Sequence, residues 1–153
     1  MSTYFCRMDL CDEVAFTTTL RVRDACLCLH VQRAARALAR RFDEALRPAG
    51  LTSGQFSLLM ALNRSEPPGI GAVAALLAMD RTTLTANLKP LARMGFVRVG
   101  MAAGDRRRRV LVLLPAGLAA LVAAVPVWER EHTALEGLVG DANRLRGDLV
   151  ALG

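Results

Sequence analysis

Apolar positions recur at helical spacing along most of the chain, and the period shortens to two only once. From Asp24 onward, Ala25, Leu29, Ala35, Leu38 or Ala39, Phe42 and Leu46 keep to one side of a predicted helix. Arg33, Arg36, Arg40 and Arg47 follow another side, and Pro48 and Gly50 end it. The stretch "LTSGQFSLLMALNR" predicts a second helix, with Thr52 or Ser53 as N-cap and Gln55 where a capping box wants it. The turn "SEPPG" closes it. "IGAVAALLAM" predicts a short helix with Val73, Ala74, Leu76 and Leu77 inward, broken at "AMD". There Asp80 can accept backbone N–H groups from Thr82 or Thr83 and start a new helix. Leu84, Leu88 and Leu91 form its buried stripe, and Gly95 ends it. Its outer face carries Arg81, Thr82, Thr83, Thr85, Ala86, Lys89 and Arg93, short hydrogen-bonding side chains and cations that suit a groove of base edges and phosphates.

The change of period comes at "FVRVGMAAGDRRRRVLVLL", which predicts strand, glycine-bounded loop and strand. Val97 and Val99 lie on one side, Val110, Val112 and Leu114 on the other, and Gly100 and Gly104 permit the turn. The four arginines Arg106 to Arg109 therefore sit at the tip and returning base of a hairpin that follows the threonine-bearing helix. Arg109 is a candidate for pairing with an acid in the service of the fold. From Pro115 to about Leu138 a long helix is predicted, with Pro115 in its favoured first turn and Pro126 as a source of bending. A last helix runs from Asp141 to Leu152, its apolar face too small to stand alone and suited to packing on a second subunit. Residues 1 to 22 are weakly patterned, with "FTTTLRV" reading as a short strand or extended arm. Trp128, Phe42, Met79 and Met94 read as core or interface residues.

Composition narrows the partner. The chain has 153 residues, is 53% hydrophobic and carries a formal charge of +6, which implies a folded protein with an anionic partner. Lys89 is the only lysine, so the positive charge is overwhelmingly guanidinium, a planar fork matched to phosphate oxygens and guanine edges. Val110 to Trp128 lacks charge and follows arginines, as a membrane anchor would, but Pro115 and Gly117 divide it into a strand-length and a helix-length piece. A single strand cannot stand in lipid, so no membrane partner is expected. All four cysteines, Cys6, Cys11, Cys26 and Cys28, fall in the first fifth of the chain, and the N-terminus lacks a secretory pattern. A reducing, cytoplasmic setting follows as an expectation.

The stretches "GLTSGQFSLLMAL", "VAALLAMDRTTLTANLKPLARMGFV", "GDRRRRVLVLL" and "PAG", in that order, resemble a MarR-family transcriptional regulator from about Asp24 onward. The resemblance implies a mainly α fold with a small β-hairpin wing: a winged helix-turn-helix plus a helical dimerisation region. Residues 1–50 would supply an N-terminal arm and dimerisation helix, 51–114 the DNA-binding domain and 115–153 the C-terminal dimerisation helices. It further implies a homodimer reading a near-palindromic double-stranded operator, usually as a repressor released by a small ligand or by thiol chemistry. Asp105 and Arg107 match the family's wing acid and wing arginine, the arginine entering the minor groove and the acid helping to hold it. Arg81, Thr82, Thr83, Thr85, Lys89, Arg106 and Arg108 complete the expected DNA contacts. Two positions depart from the pattern: Leu114 replaces a capping threonine before "PAG", and Pro90 interrupts the recognition helix.

The cysteines leave two readings open. They are small buried hydrophobes, or a cluster of soft thiolates that senses oxidants or binds a thiophilic ion such as trivalent arsenic or antimony. Cys26 and Cys28, two residues apart on a helix, point to different sides and cannot bridge each other, whereas Cys26 and His30 share a face. No cofactor is required. The rival function is a thiol-based metal or metalloid binding protein without specific DNA recognition. An enzyme has little support, because only His30 and His132 are available and no catalytic motif appears.

Overall fold

A computed structural model describes residues 6–102 and 104–153, and their side chains except those of 6–14 and 106. Two units, Met1–Ala39 and Arg40–Gly153, are distinguished.

The first unit holds α1 (Cys6–Ala25) and most of α2 (Leu27–Leu46). The "FTTTLRV" segment lies within α1 and is helical, which corrects the strand or arm expected from its β-branched residues. A strand needs a neighbour for its backbone groups, whereas a helix satisfies them locally. Thr19 adds a local bond, its Oγ1 donating to Ala15 O at 3.0 Å. The helical hydrogen bonds run on through the break at Cys26, whose N–H donates to Val22 O and whose carbonyl accepts from His30 N.

The second unit begins with the end of α2. The chain leaves that helix through a 3-10 turn at Arg47–Ala49 and Gly50, where φ is +70°. Thr52 and Gln55 then form the predicted capping box at the start of α3 (Ser53–Leu62). The helix-turn-helix is α4 (Ile70–Leu76) and α5 (Arg81–Arg93), and the turn between them places Ala78 at φ +49°, a left-handed conformation costly for a side chain. Asp80 caps α5, accepting from Thr83 N at 2.8 Å, and hydrogen bonding from the Thr83 hydroxyl and backbone holds its carboxyl below the ordinary aspartate range. Leu84, Leu88 and Leu91 are buried, as the spacing predicts. Pro90 does not end the helix, whose next turn includes a bond from Met94 N to Pro90 O.

The wing is β1 (Val97–Ala102) paired antiparallel with β2 (Asp105–Leu113), Val97 opposite Leu113, Val99 opposite Leu111 and Met101 opposite Arg109. Its base is fixed by a bridge between Gly69 and Val110 and by Leu111 N donating to Pro68 O at 2.8 Å. The long α6 (Pro115–Glu136) starts without a side-chain cap at Leu114, and α7 (Ala142–Ala151) starts on Asp141. Gly117 lets α6 lie against the turn before the wing: a Cβ there would fall inside the van der Waals shell of Phe96 O and 2.9 Å from Leu113 Cδ1. Phe96 O also accepts from Leu114 N at 2.8 Å. Leucines of α2, α3, α5 and α6 (Leu46, Leu59, Leu84, Leu91, Leu121) meet in one core with Val73 and Leu111. Leu76 and Met94, expected inside, are exposed at 55% and 42%. Leu76 ends a helix too short to bury both flanks, and Met94 is the C-cap of α5. Among the described residues no helix is long and apolar enough to cross a membrane.

Candidate nucleic-acid interface

The cap at Asp80 and the stripe at Leu84, Leu88 and Leu91 fix which side of α5 faces outward. Arg81, Thr82, Thr83, Thr85, Lys89 and Arg93 are all exposed. The Arg81 guanidinium reaches across α4, its Nη2 lying 3.4 Å from where a Cβ of Gly71 would stand. Two hydroxyls are already engaged within the helix: Thr83 Oγ1 donates to Asp80 Oδ2 at 2.5 Å and Thr85 Oγ1 to Arg81 O at 2.7 Å. Exposure of threonine on this helix is therefore partly explained by local bonding.

The wing flanks the same surface. Thr85, Lys89 and Ala92 of α5 and Val99 of β1 line one trough. The regular pairing sets Arg109 opposite Met101 on the side of Val99 and Leu111, and the register shifts beyond it, between Met101 and Ala102, so that Arg107 lies in the irregular part of the hairpin. Arg108 lines a second cleft with Glu66, Arg98, Met101 and Val110. The side chain of Arg106 lies outside those described. Asp105 Oδ1 accepts from the backbone N–H of Arg107 at 2.9 Å, so the wing acid holds the arginine's main chain and leaves its guanidinium free to reach out. Arg109 is exposed and, among the described residues, makes no ion pair with an acid. The same holds for Arg81, Lys89, Arg93, Arg98, Arg107 and Arg108, and for Arg33, Arg36 and Arg40 of α2, whereas Arg41, Arg130, Arg144 and Arg146 are paired. The result is a concentration of unneutralised cations on α5 and the wing.

Among known proteins, the MarR family pattern matches residues 49–108. The Mycobacterium tuberculosis transcriptional regulator MosR, solved in complex with DNA, shares 42% identity over 83% of this chain and 92% of its own, with a TM-score of 0.75. The chain belongs to the MarR family of winged helix-turn-helix transcriptional regulators. A probable transcriptional regulator from Pseudomonas aeruginosa is 25% identical over 85% of this MarR-family chain and 98% of its own, with a TM-score of 0.76. The repressor CouR, bound to a 23-mer DNA duplex, is 27% identical over 86% and 94%, with a TM-score of 0.74. No curated protein sequence matches this MarR-family chain.

Two further features bear on regulation. An apolar cleft of about 730 Å³ opens between α3, α4 and α6, walled by Phe56, Met60, Leu76, Leu77 and Trp128, with Asn63 and Arg64 at its rim. Sequence reasoning missed it, because helical period alone places Leu76 inward. Trp128 stacks on Phe56 with centroids 6.3 Å apart and on His132 at 4.7 Å. His132 Nε2 lies 3.2 Å from Glu136, which also pairs with Arg146 of α7 at 2.7 Å, and Arg146 holds the Glu136 carboxyl below its ordinary range. In the first unit Cys26 is half-buried and Cys28 exposed, both as free thiols. Cys26 Sγ accepts from Leu29 N at 3.4 Å, Cys28 Sγ from Gln32 Nε2 at 3.2 Å, and His30 Nδ1 bonds the Cys26 carbonyl rather than its sulfur. The side chains of Cys6 and Cys11 lie outside those described, and the described residues contain no group of three metal-ligating side chains.

Proposed function

We propose that this protein is a dimeric repressor that binds a near-palindromic double-stranded operator, with α5 in the major groove and Arg107 of the wing in the minor groove. The observation that carries the reading is the set of exposed cations without acidic partners on α5 and the wing, two of which, Lys89 and Arg98, line the trough between α5 and β1. Cations left without protein partners are available to displace counterions from phosphates. Dimerisation is supported by α7, which exposes Leu145, Leu149, Val150 and Leu152 and would not stay folded on so small a buried face. The test is binding of the purified protein to DNA flanking its own gene across a salt series. Arg107→Ala should weaken binding and reduce the logarithmic salt slope by about 0.9 for each phosphate that Arg107 neutralises. An unchanged slope and affinity would remove Arg107 from the interface.

Release by a small ligand at the Trp128 cleft is favoured by its size, which falls within the range of small-molecule sites, and by its apolar walls with a few polar groups at the rim. Arg64 is the cation available there for an anionic ligand group. The second reading, release by thiol chemistry, rests on the accessibility of Cys28 and the half-burial of Cys26. Titration of the reduced protein on its operator with arsenite, antimonite and zinc tests it. A fourfold Cys→Ala variant that releases DNA as the wild type does removes the thiols from sensing.

A further inference from the structure

Each residue of a helix advances about 100° around its axis, so the row opposite Leu84, Leu88 and Leu91 is Thr82, Ala86, Lys89 and Arg93. All four are exposed, and Thr83 and Thr85 stand to either side of the row. The flanking threonines have their only hydroxyl protons committed to Asp80 and to the Arg81 carbonyl. They can accept but not donate. Along the outward row the chemistry is therefore a hydroxyl at Thr82, a bare methyl at Ala86, and then cations. Thr82 and Ala86 are four residues apart, a rise of about 6 Å, which is more than one base-pair step, so the two address different base pairs.

A methyl group at the centre of a groove-facing helix can offer no hydrogen bond. A base-edge donor or acceptor set against it would lose water without gaining a partner. The one apolar group on a major-groove edge is the C5-methyl of thymine, which alanine contacts favourably. We propose that Ala86 determines specificity by selecting thymine at its position in each half-site through methyl contact. The assignment rests on the reading of α5 as the DNA-contacting helix. Alanine is also the best helix former, so a purely structural role for Ala86 must be separated from recognition.

The experiment uses the full chain. A preferred duplex is recovered from a pool with a randomised centre and then remade with single thymine-to-uracil replacements, which remove only the C5-methyl. At one fixed salt concentration, one such replacement in a single half-site should weaken wild-type binding about fourfold, and the matching replacement in both half-sites about fifteenfold. Ala86→Gly and Ala86→Ser should bind the thymine and uracil duplexes equally. The serine variant guards against loss of helix stability in the glycine variant. The proposal is overturned if no single replacement changes wild-type affinity beyond twofold, or if the Ala86 variants keep the wild-type preference for the methyl. Recovery of no preferred duplex is a different result: it defeats the DNA-binding reading itself and the role of Ala86 with it.

Discussion

Substituting Gly117 by alanine isolates the contact that seats the long helix against the wing. The added methyl would meet Phe96 O at a distance no Cβ adopts, and Leu113 Cδ1 at 2.9 Å. Leu113 can swing its terminal methyl away, but Phe96 O is backbone and is held by Leu114 N at 2.8 Å. The structure must then separate α6 from the Phe96 turn. Overpacking of this kind costs about 1–3 kcal/mol. Loss of the Leu114–Phe96 hydrogen bond adds about 1 kcal/mol. Better helix propensity of alanine returns about 1 kcal/mol. The net expectation is a destabilisation of about 1–3 kcal/mol, which lowers the thermal midpoint by roughly 3–10 °C for a chain of this size. Gly54→Ala is the internal control: Gly54 sits exposed in the first turn of α3 with nothing within 4 Å of an added Cβ. It should be neutral or stabilise by up to about 1 kcal/mol. Both variants are compared with wild type by urea unfolding at one protomer concentration, since association shifts apparent stability. A Gly117→Ala protein as stable as wild type, or more so, refutes the packing argument.

Ala78→Gly should raise stability by up to about 1 kcal/mol, because relief of the left-handed strain of about 1–2 kcal/mol exceeds the entropy glycine loses on folding; a lower urea midpoint would contradict this. Asp80 has a depressed pKa, so its support of α5 is present above the ordinary aspartate value near 4 and is lost as pH falls through its folded value. Asp80→Ala should therefore unfold at a lower temperature than wild type at about pH 7, with the difference shrinking as pH falls below the ordinary aspartate value and through the lower folded one. A gap that persists in acid would argue against the carboxylate cap. Arg107→Ala should weaken operator binding more than Arg130→Ala, whose guanidinium already lies 3.6 Å from Glu131 on α6; equal losses in a mobility-shift titration would count against the wing. If an aromatic carboxylate occupies the cleft, emission from Trp128, the chain's one tryptophan, should change on binding and the response should fall with Arg64→Ala.

The helix-turn-helix and wing were legible because each boundary is written in local chemistry: the Thr52 and Gln55 box, the Asp80 cap, the Gly95 stop, and the alternation from Val97 to Val112. Helical spacing at Leu84, Leu88 and Leu91 also settled which side of α5 is buried. What escaped depends on contacts between segments distant in sequence. Leu76 counts as an inward leucine by period alone, yet α3 and α6 leave it at the wall of an open cleft. The "FTTTLRV" segment misled because β-branched residues favour strands only where a strand has a neighbour. The free hydroxyl count on α5 likewise required knowing that Asp80 and the Arg81 carbonyl take two of the three.

The short segment between α3 and α4 joins two features that otherwise look separate. At its start Arg64 Nε closes on the Ala61 carbonyl beside the cleft, and at its end Pro68 and Gly69 are tied to β2. Adjacent Pro67 and Pro68 have fixed φ angles, so the tether has little slack with which to absorb a displacement. A ligand that displaced the end of α3 would therefore act close, along the chain, to the root of the arginine strand.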